Sequence, residues 1–303
     1  MIRHLRHEAI DKQEWDRHLS SCPGPTWYAR SAVLDVASPG WEALVDKDGS
    51  RMPLTWSRRF GVDYLRQPFL LQQLGVFATG TAQGHVVPFL EALPRRFRYA
   101  DIYLRPAKQP KPTKGFEFSE HTDLCLRLDE DIPDLRAAYS SNHRRNLRRA
   151  HEAGLRLDEQ LDPGRFLEFV LGSSQAARWK LSDEQRRVFR GLLALSVAEG
   201  NARVLGVRNG RDALLAAGWF VQWQGRSYFL KGLAAPEGRE ERAMFLLLDQ
   251  HISDIAGRAG VLDLAGSDDP ALARFYAGFG ADRHVYLRAL MNRLPAPVRW
   301  MKP

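Results

Sequence analysis

The sequence has little cysteine, no long apolar run and no low-complexity segment, and each absence excludes a class of protein. Its 303 residues include two cysteines, Cys22 and Cys125. Two are too few for a disulfide framework, and neither has the spacing of metal ligands. No apolar stretch approaches the about 20 residues that cross a bilayer, and residues 1–7 contain no apolar signal-peptide core. We therefore expect a globular protein of a reducing cytoplasm, with no membrane span and no metal site.

What the chain does have is an apolar core and an excess of positive charge. Hydrophobic residues make up 44%, and 44 Lys and Arg residues against 36 Asp and Glu residues give a formal charge of +8. This balance favours anionic partners, such as phosphates, nucleic acid or acidic lipid. A well-solvated basic surface without a ligand is the alternative.

Hydrophobic periodicity predicts a similar order of elements in both halves of the chain. In the first half it predicts helices over 8–20, 28–36 and 84–97, strands over 41–45, 51–59, 64–71, 73–78, 99–104 and 122–128, and a basic loop over 108–115. In the second half it predicts helices over 133–153, 163–177, 182–199, 240–259 and 270–279, and strands over 155–159, 202–208, 213–222, 226–233, 261–264 and 284–290. The fold class is therefore α+β, with two tandem units, 1–130 and 131–303, each a mixed, mostly antiparallel sheet flanked by helices. A chance similarity of element order is the alternative.

Two motifs carry a family resemblance. Residues 261–281 read as a buried strand, a polar turn, a helix that stops at Gly278 and an exit into a further strand, with Tyr276 in the last turn of the helix. This order resembles the closing unit of the GNAT acyltransferases. Residues 140–154 are similar to a helix of the FemAB-like or BioF2-like group, which has tandem GNAT units, with Arg144, Arg145 and Arg148 at its arginine positions.

The resemblance implies an acyl- or aminoacyltransferase that works without a covalent enzyme intermediate. The donor would be acetyl-CoA, another acyl-CoA or an aminoacyl-tRNA, and the acceptor an amine on an anionic small molecule or a peptide. Tyr276 is the candidate catalytic acid, because in this family a tyrosine at this place protonates the leaving thiolate. The alternative for Tyr276 is a place in the core of an amphipathic helix. The alternative for the chain is a non-catalytic GNAT relative that binds a nucleotide, RNA or another anionic ligand.

The junction before the predicted helix 240–259 is the candidate donor site. Free N–H groups and the dipole at a helix N-terminus favour an anion, and arginine adds charge-assisted bonds to phosphate. The junction also holds Glu240 and Glu241, which could instead stabilise the first helical turn. The candidate residues of the donor site are Gly238, Arg239, Arg242 and Ala243.

Two further groups of residues are candidates for substrate binding. The helix 133–153 carries Asn142, Arg144, Arg145 and Arg148, whose spacing places the arginines in rows that could grip a phosphate. A solvated basic face is the alternative for this helix. Trp179 and Lys180 lie in a connection between helices, where Lys180 could pair with a substrate carboxylate.

The sequence leaves the general base open. The candidate carboxylates are Glu237, Asp249, Asp263 and Asp268. Of these, Asp268 is expected to cap the helix that carries Tyr276.

Overall fold

The computed structural model describes residues 1–79, 85–105, 110, 112–258, 260–265 and 268–295. It divides the chain into two compact units. Unit 1 comprises residues 1–121 and 285–303, and unit 2 comprises residues 122–284. The division lies a few residues before the boundary that the sequence suggests at 130 and 131, and the C-terminal segment, which the sequence assigns to the second half, belongs to unit 1.

Unit 1 holds two sheets with short helices packed on them. Its helices are α1 (Lys12–Ser21), α2 (Ser31–Ala37) and α3 (Val86–Glu91). Its first sheet has the order β1 (Arg3–Leu5), β2 (Glu42–Val45) and β3 (Arg51–Leu54). Its second set of strands pairs in the order β4 (Trp56–Arg59), β5 (Val62–Arg66), β6 (Phe97–Leu104) and the part of β13 (Asp282–Asn292) from Val285 onward.

Three predictions for unit 1 need correction. The predicted strand 51–59 is interrupted at Thr55, and its two parts join different sheets. Residues 73–78 form isolated bridges rather than a strand. Helix α3 is shorter than the predicted helix 84–97, whose first residue lies outside the described residues, as do residues 108, 109 and 111 of the predicted basic loop 108–115.

Unit 2 is one sheet with helices on both faces. Its strands pair in the order β7 (Glu117–Arg127, from Thr122 onward), β12 (Val261–Asp263), β11 (Arg226–Ala234), β10 (Leu214–Trp223), β9 (Ala202–Arg208) and β8 (Arg156–Asp158). The pairing of β9, β10 and β11 is antiparallel throughout, which confirms the predicted meander. The α+β fold class is confirmed as well.

Two predicted helices of unit 2 are each two helices, because local caps interrupt them. They are α4 (Ile132–Ala137) and α5 (Ser141–Glu152), and α6 (Pro163–Leu171) and α7 (Ser174–Trp179). Ser140 and Ser173 cap α5 and α7, since their side chains accept from the backbone N–H groups of His143 and Ala176. The predicted helix 240–259 is shorter and forms α10 (Ala243–Ile255), which follows Arg242 with φ of 65° and a separate short helix, α9 (Pro236–Glu240). The remaining helices are α8 (Asp183–Ala198) and α11 (Pro270–Ala277).

The strands β11 and β12 separate after a short parallel pairing, and this separation positions the candidate site. Arg226, Ser227 and Tyr228 pair with the three residues of β12, and β11 then continues to Ala234 beyond the last of these pairs. The core beneath includes Leu247, Leu262 and Phe279. Among the described residues, every helix falls short of the length or the apolar character that a bilayer-spanning segment requires.

Candidate functional site

A cavity of about 500 Å³ opens beside the part of β11 that extends past β12. Strand β11 contributes Phe229 and residues 232–234 to its wall, and Gln175 of α7 reaches it from the other face. The remaining lining side chains come from α9, α10 and α11 and from Arg242 between α9 and α10. Unit 2 therefore brings the predicted donor junction and Tyr276 into one cavity.

Tyr276 lies in the last turn of α11, as the sequence predicts, and lines this cavity while being 6% exposed. Its ring packs edge-on against Phe229, with the centroids 6.3 Å apart. Burial raises the pKa of its phenol above the ordinary value. The phenol is therefore protonated at neutral pH and available as a proton donor.

The cap of α11 is Asp269, not the predicted Asp268. The side chain of Asp269 accepts from the backbone N–H groups of Ala271 at 2.7 Å and Leu272 at 3.3 Å. Asp268 instead accepts from the backbone N–H of Thr122 at 3.3 Å.

His143 of α5 holds the end of α11 in place. Its Nε2 lies 2.8 Å from the carbonyl oxygen of Phe275, the residue before Tyr276, and its Nδ1 lies 3.0 Å from Oγ of Ser140. A Cβ at Gly278 would overlap the His143 ring. Glycine at this stop is therefore required for the close approach of α5 to α11, and sequence analysis did not identify this contact.

Three of the four residues of the predicted donor junction line the cavity, and the fourth lies in the core. Arg239 and Arg242 line the cavity, and Arg242 Nε is buried without a hydrogen-bond partner among the described residues. Gly238 also lines the cavity, but a Cβ there would overlap the carbonyl oxygen of Leu215, so this glycine serves the packing of α9 on β10. Ala243 is fully buried in the core.

The predicted arginine rows on α5 lie outside the lining of this cavity. Arg144 folds back and donates to the carbonyls of Ala137 and Tyr139, which satisfies the end of α4. Arg145 donates to the side chain of Asn142 at 2.9 Å. Arg148 is exposed. The four residues form an exposed face of α5, and Arg144 has a structural role that the pattern did not indicate.

The predicted pair of Trp179 and Lys180 is replaced by a different pair. Lys180 is exposed, with φ of 47° at the end of α7. The ammonium nitrogen over the Trp179 ring is that of Lys231, 3.5 Å from the ring centroid. Burial lowers the pKa of Lys231 to about 8. Sequence analysis missed Lys231, although a single charge within the apolar strand 228–233 could have indicated it.

The candidate carboxylates have other partners. Asp249 pairs with Arg136 at 2.6 Å, Asp263 with Arg226 at 3.1 Å, and Glu237 accepts from Asn209 at 3.1 Å. Among the described residues, no Asp or Glu lines the cavity.

A buried group of side chains elsewhere in unit 2 has the atoms of a metal site. Asp123, Cys125 and Asp263 place their ligand atoms within 4.8 Å of one another. Arg226 donates to Asp263 and lies 3.3 Å from Sγ of Cys125, so that a guanidinium already supplies the positive charge there. Burial raises the pKa of Cys125, which keeps its thiol protonated. The group is therefore an ion-pair cluster.

A larger cavity, of about 760 Å³, lies at the turn between β10 and β11 and at the end of α10. None of the predicted site residues lines it. Its arginines include Arg203, which pairs with Asp254, and Arg226, which pairs with Asp263. Four of the predicted site residues, Gly238, Arg239, Arg242 and Tyr276, line the smaller cavity instead.

Residues 137–271 match the family model described as an acetyltransferase (GNAT) domain. This part of the chain, which is less than half of its length, is therefore similar to GNAT domains. It contains α5 to α10, β8 to β12 and the first residues of α11, and therefore most of the elements around the cavity. No curated protein sequence matches the chain.

Solved structures of similar fold extend over the whole chain. FemX matches with a TM-score of 0.66 at 12% identity, covering 97% of this chain and 98% of FemX. A conserved protein of unknown function from Bacteroides thetaiotaomicron matches with a TM-score of 0.60 at 10% identity, covering 93% and 98% of the two chains. L-PGS from Bacillus licheniformis matches with a TM-score of 0.52 at 12% identity, covering 96% and 95%. The fold is thus similar to that of FemX and of L-PGS, and identities this low establish the fold alone.

Proposed function

We propose that this protein transfers an acyl or aminoacyl group from an acyl-CoA or an aminoacyl-tRNA to an amine, directly and without a covalent enzyme intermediate. The observation that carries the proposal is the cavity at the separation of β11 from β12. It brings Tyr276 together with Arg239 and Arg242, which lie more than 30 residues earlier in the chain. A proton donor and two cations at one opening suit a phosphate-bearing donor with a leaving group that must be protonated.

The residues present fit an anionic donor. Arg242 Nε is a buried donor without a partner among the described residues, and a phosphate oxygen would satisfy it. Arg239 and Arg242 would hold the phosphates of the donor, and Leu233 and Phe245 offer an apolar wall to its remainder. A bound acyl-CoA supplies the activated thioester.

The roles of the chain's own residues follow from burial and protonation. Tyr276 holds a proton on its phenol oxygen, because burial raises its pKa, and donates it to the departing atom of the donor. The rings of Phe229, Phe245 and Phe275 give the cavity an apolar wall. Since no carboxylate among the described residues lines the cavity, the acceptor amine enters neutral or loses its proton to water.

A second candidate function is the binding of an anionic polymer without catalysis. The observation that favours it is the exposed face of α5, where Arg145, Arg148 and Arg149 lie outside the cavity. Such a face suits RNA, either as a ligand in itself or as the body of an aminoacyl-tRNA donor.

Replacing Tyr276 with phenylalanine tests the proposed acid. Tyr276→Phe removes the proton donor and keeps the ring against Phe229, so we expect kcat to fall by about 10²- to 10⁴-fold. The affinity for the donor should stay nearly unchanged, measured as the rise in melting temperature when acetyl-CoA, longer acyl-CoAs or free CoA are added.

Tyr139→Phe is the matched control, because it removes a buried phenol hydroxyl outside the cavity. Wild-type rates in Tyr276→Phe would remove Tyr276 from the mechanism. An equal loss in both variants would mean that stability and not proton transfer is affected. If no acyl-CoA raises the melting temperature, the same comparison is made with an aminoacyl-tRNA.

A further inference from the structure

The side chain of Lys231 leaves β11 on the face covered by α6, α7 and α8. Lys231 is opposite Trp219 in the antiparallel register, and opposite residues share a face. The Trp219 ring lies 5.8 Å from Phe189 of α8 and 6.5 Å from Phe166 of α6. Trp179, at the end of α7, covers the ammonium of Lys231.

Lys231 is a partly buried cation to which the described residues give no anionic partner. Burial lowers its pKa, and no neighbouring carboxylate offsets this effect. Lysines are almost never fully buried unless they are paired, and partial burial already disfavours the charged ammonium. The Trp179 ring replaces only part of the lost hydration, so the site is unfavourable for folding and has a capacity left for a negative charge.

The position of Lys231 links it to the cavity. Gly232, the next residue, and Leu233 both line the cavity, and so does Gln175 of the same helix that ends at Trp179. Tyr276 and Phe229 lie on the opposite face, in the core with α10. Strand β11 thus has the candidate acid on one side and a lone lysine on the other.

We propose that Lys231, held against Trp179, binds a carboxylate of the acyl acceptor, so that the acceptor is an amino acid, a peptide or another amine that also carries a carboxylate. This inference rests on the proposed transferase function. The carboxylate supplies the missing counter-ion and fixes the acceptor on the face of β11 away from α10. Lys180, which the sequence suggested for this role, is exposed and lies at the start of a connection.

A direct test needs neither donor nor acceptor. The chain contains eight lysines, so ε-carbon labelling gives a small NMR spectrum in which Lys231→Arg identifies the signal of Lys231. Titration of pH with increasing propionate, at constant ionic strength, should raise the pKa of Lys231 by about one pH unit. The neutral analogue propionamide should leave it unchanged. No rise, or an equal response to the two probes, overturns the proposal.

The kinetic test uses L-alanine and L-alaninamide as paired acceptors with acetyl-CoA. In Lys231→Met we expect KM for the acid to rise about tenfold to hundredfold, with KM for the amide and the response to acetyl-CoA unchanged. Lys180→Met is the matched control and should behave as wild type. An equal loss of kcat for both acceptors, with KM unaltered, would make Lys231 a general base and overturn carboxylate binding. If the wild-type protein transfers nothing, the proposed function fails, while the NMR titration still decides the role of Lys231.

Discussion

At the scale of single residues, the two groups that matter most differ in how burial changes their protonation. Burial raises the pKa of Tyr276 and lowers that of Lys231, because a low-dielectric surrounding disfavours the charged form of each. The phenol of Tyr276 therefore stays protonated at neutral pH. The ammonium of Lys231 stays charged at neutral pH, although its surroundings compensate that charge poorly.

This difference predicts a pH-dependent stability for Lys231→Met. Its pKa falls from 10.5 to about 8 on folding, so between these values the unfolded chain binds more protons and the folded state gains stability as pH rises. Below pH 8 the full penalty is present, and Lys231→Met should be more stable than wild type by about 3 kcal/mol. Toward pH 10.5 this advantage should disappear.

Urea unfolding at pH 7 and pH 10 measures the difference, and Lys180→Met, which removes an exposed lysine, should match wild type at both values. A stability gain in Lys231→Met that is the same at both values would contradict a lowered pKa.

At the scale of elements, the chemistry depends on how α5 holds α11. The last turn of α11 carries Tyr276, and His143 binds the carbonyl of the residue before it. Gly278 lets the imidazole approach, since any side chain there would overlap it. The position of the candidate acid is therefore set by a helix more than a hundred residues earlier in the chain.

Gly278→Ala tests this contact. Its φ is ordinary for any residue, with a value of −66°, so the effect of a methyl group is steric. We expect a loss of about 2 kcal/mol of stability, typical of an overpacked contact, measured by urea unfolding. Gly210→Ala is the control, because nothing lies within 4 Å of a Cβ there, and it should change stability by less than about 0.5 kcal/mol.

The double variant Gly278→Ala with His143→Ala completes a double-mutant cycle that measures the coupling between the two residues. Removing the ring makes room for the methyl group, so the double variant should be more stable than the sum of the two changes by about 1 kcal/mol or more. Strict additivity would show that the two residues are not coupled and that His143 does not position α11.

At the scale of the whole molecule, the charge of +8 attracts polyanions, either through the overall field or at a defined binding site. Attraction by the overall field is independent of the polyanion's sequence and weakens with salt. At a defined binding site, by contrast, a few particular arginines account for most of the salt dependence of binding. The exposed face of α5 is a part of unit 2 where several arginines are grouped.

Two double variants that each remove two positive charges distinguish a binding site on α5 from attraction by the net charge. Arg148→Gln with Arg149→Gln changes α5, and Arg187→Gln with Arg190→Gln removes the same charge from α8, where both side chains are exposed. For binding of a tRNA mixture, the α5 variant should lower the slope of log affinity against log salt by about 1.5, and the α8 variant should not. Equal slopes for the two variants would assign binding to net charge alone.

The sequence predicted best what depends on neighbours along the chain. The antiparallel meander, the helix with Tyr276 in its last turn and the α+β class follow from local periodicity and turn residues. Breaks at Ser140 and Ser173 were missed, although both are capping residues, because the apolar period continues across them. Arg144 was assigned to a ligand and instead caps α4, since a pattern of charge does not show which carbonyls lie nearby.

By itself the sequence determined most of the elements, the excess of positive charge and a tyrosine at the end of a helix, because these are properties of short stretches of chain. Only the tertiary structure decided that Arg239, Arg242 and Tyr276 line one cavity, that His143 holds α11, and that Lys231 rather than Lys180 lies against Trp179. Each of these contacts joins residues from different elements. Their formation depends on where β11 separates from β12 and on how closely helices pack, and neither is encoded in a local pattern.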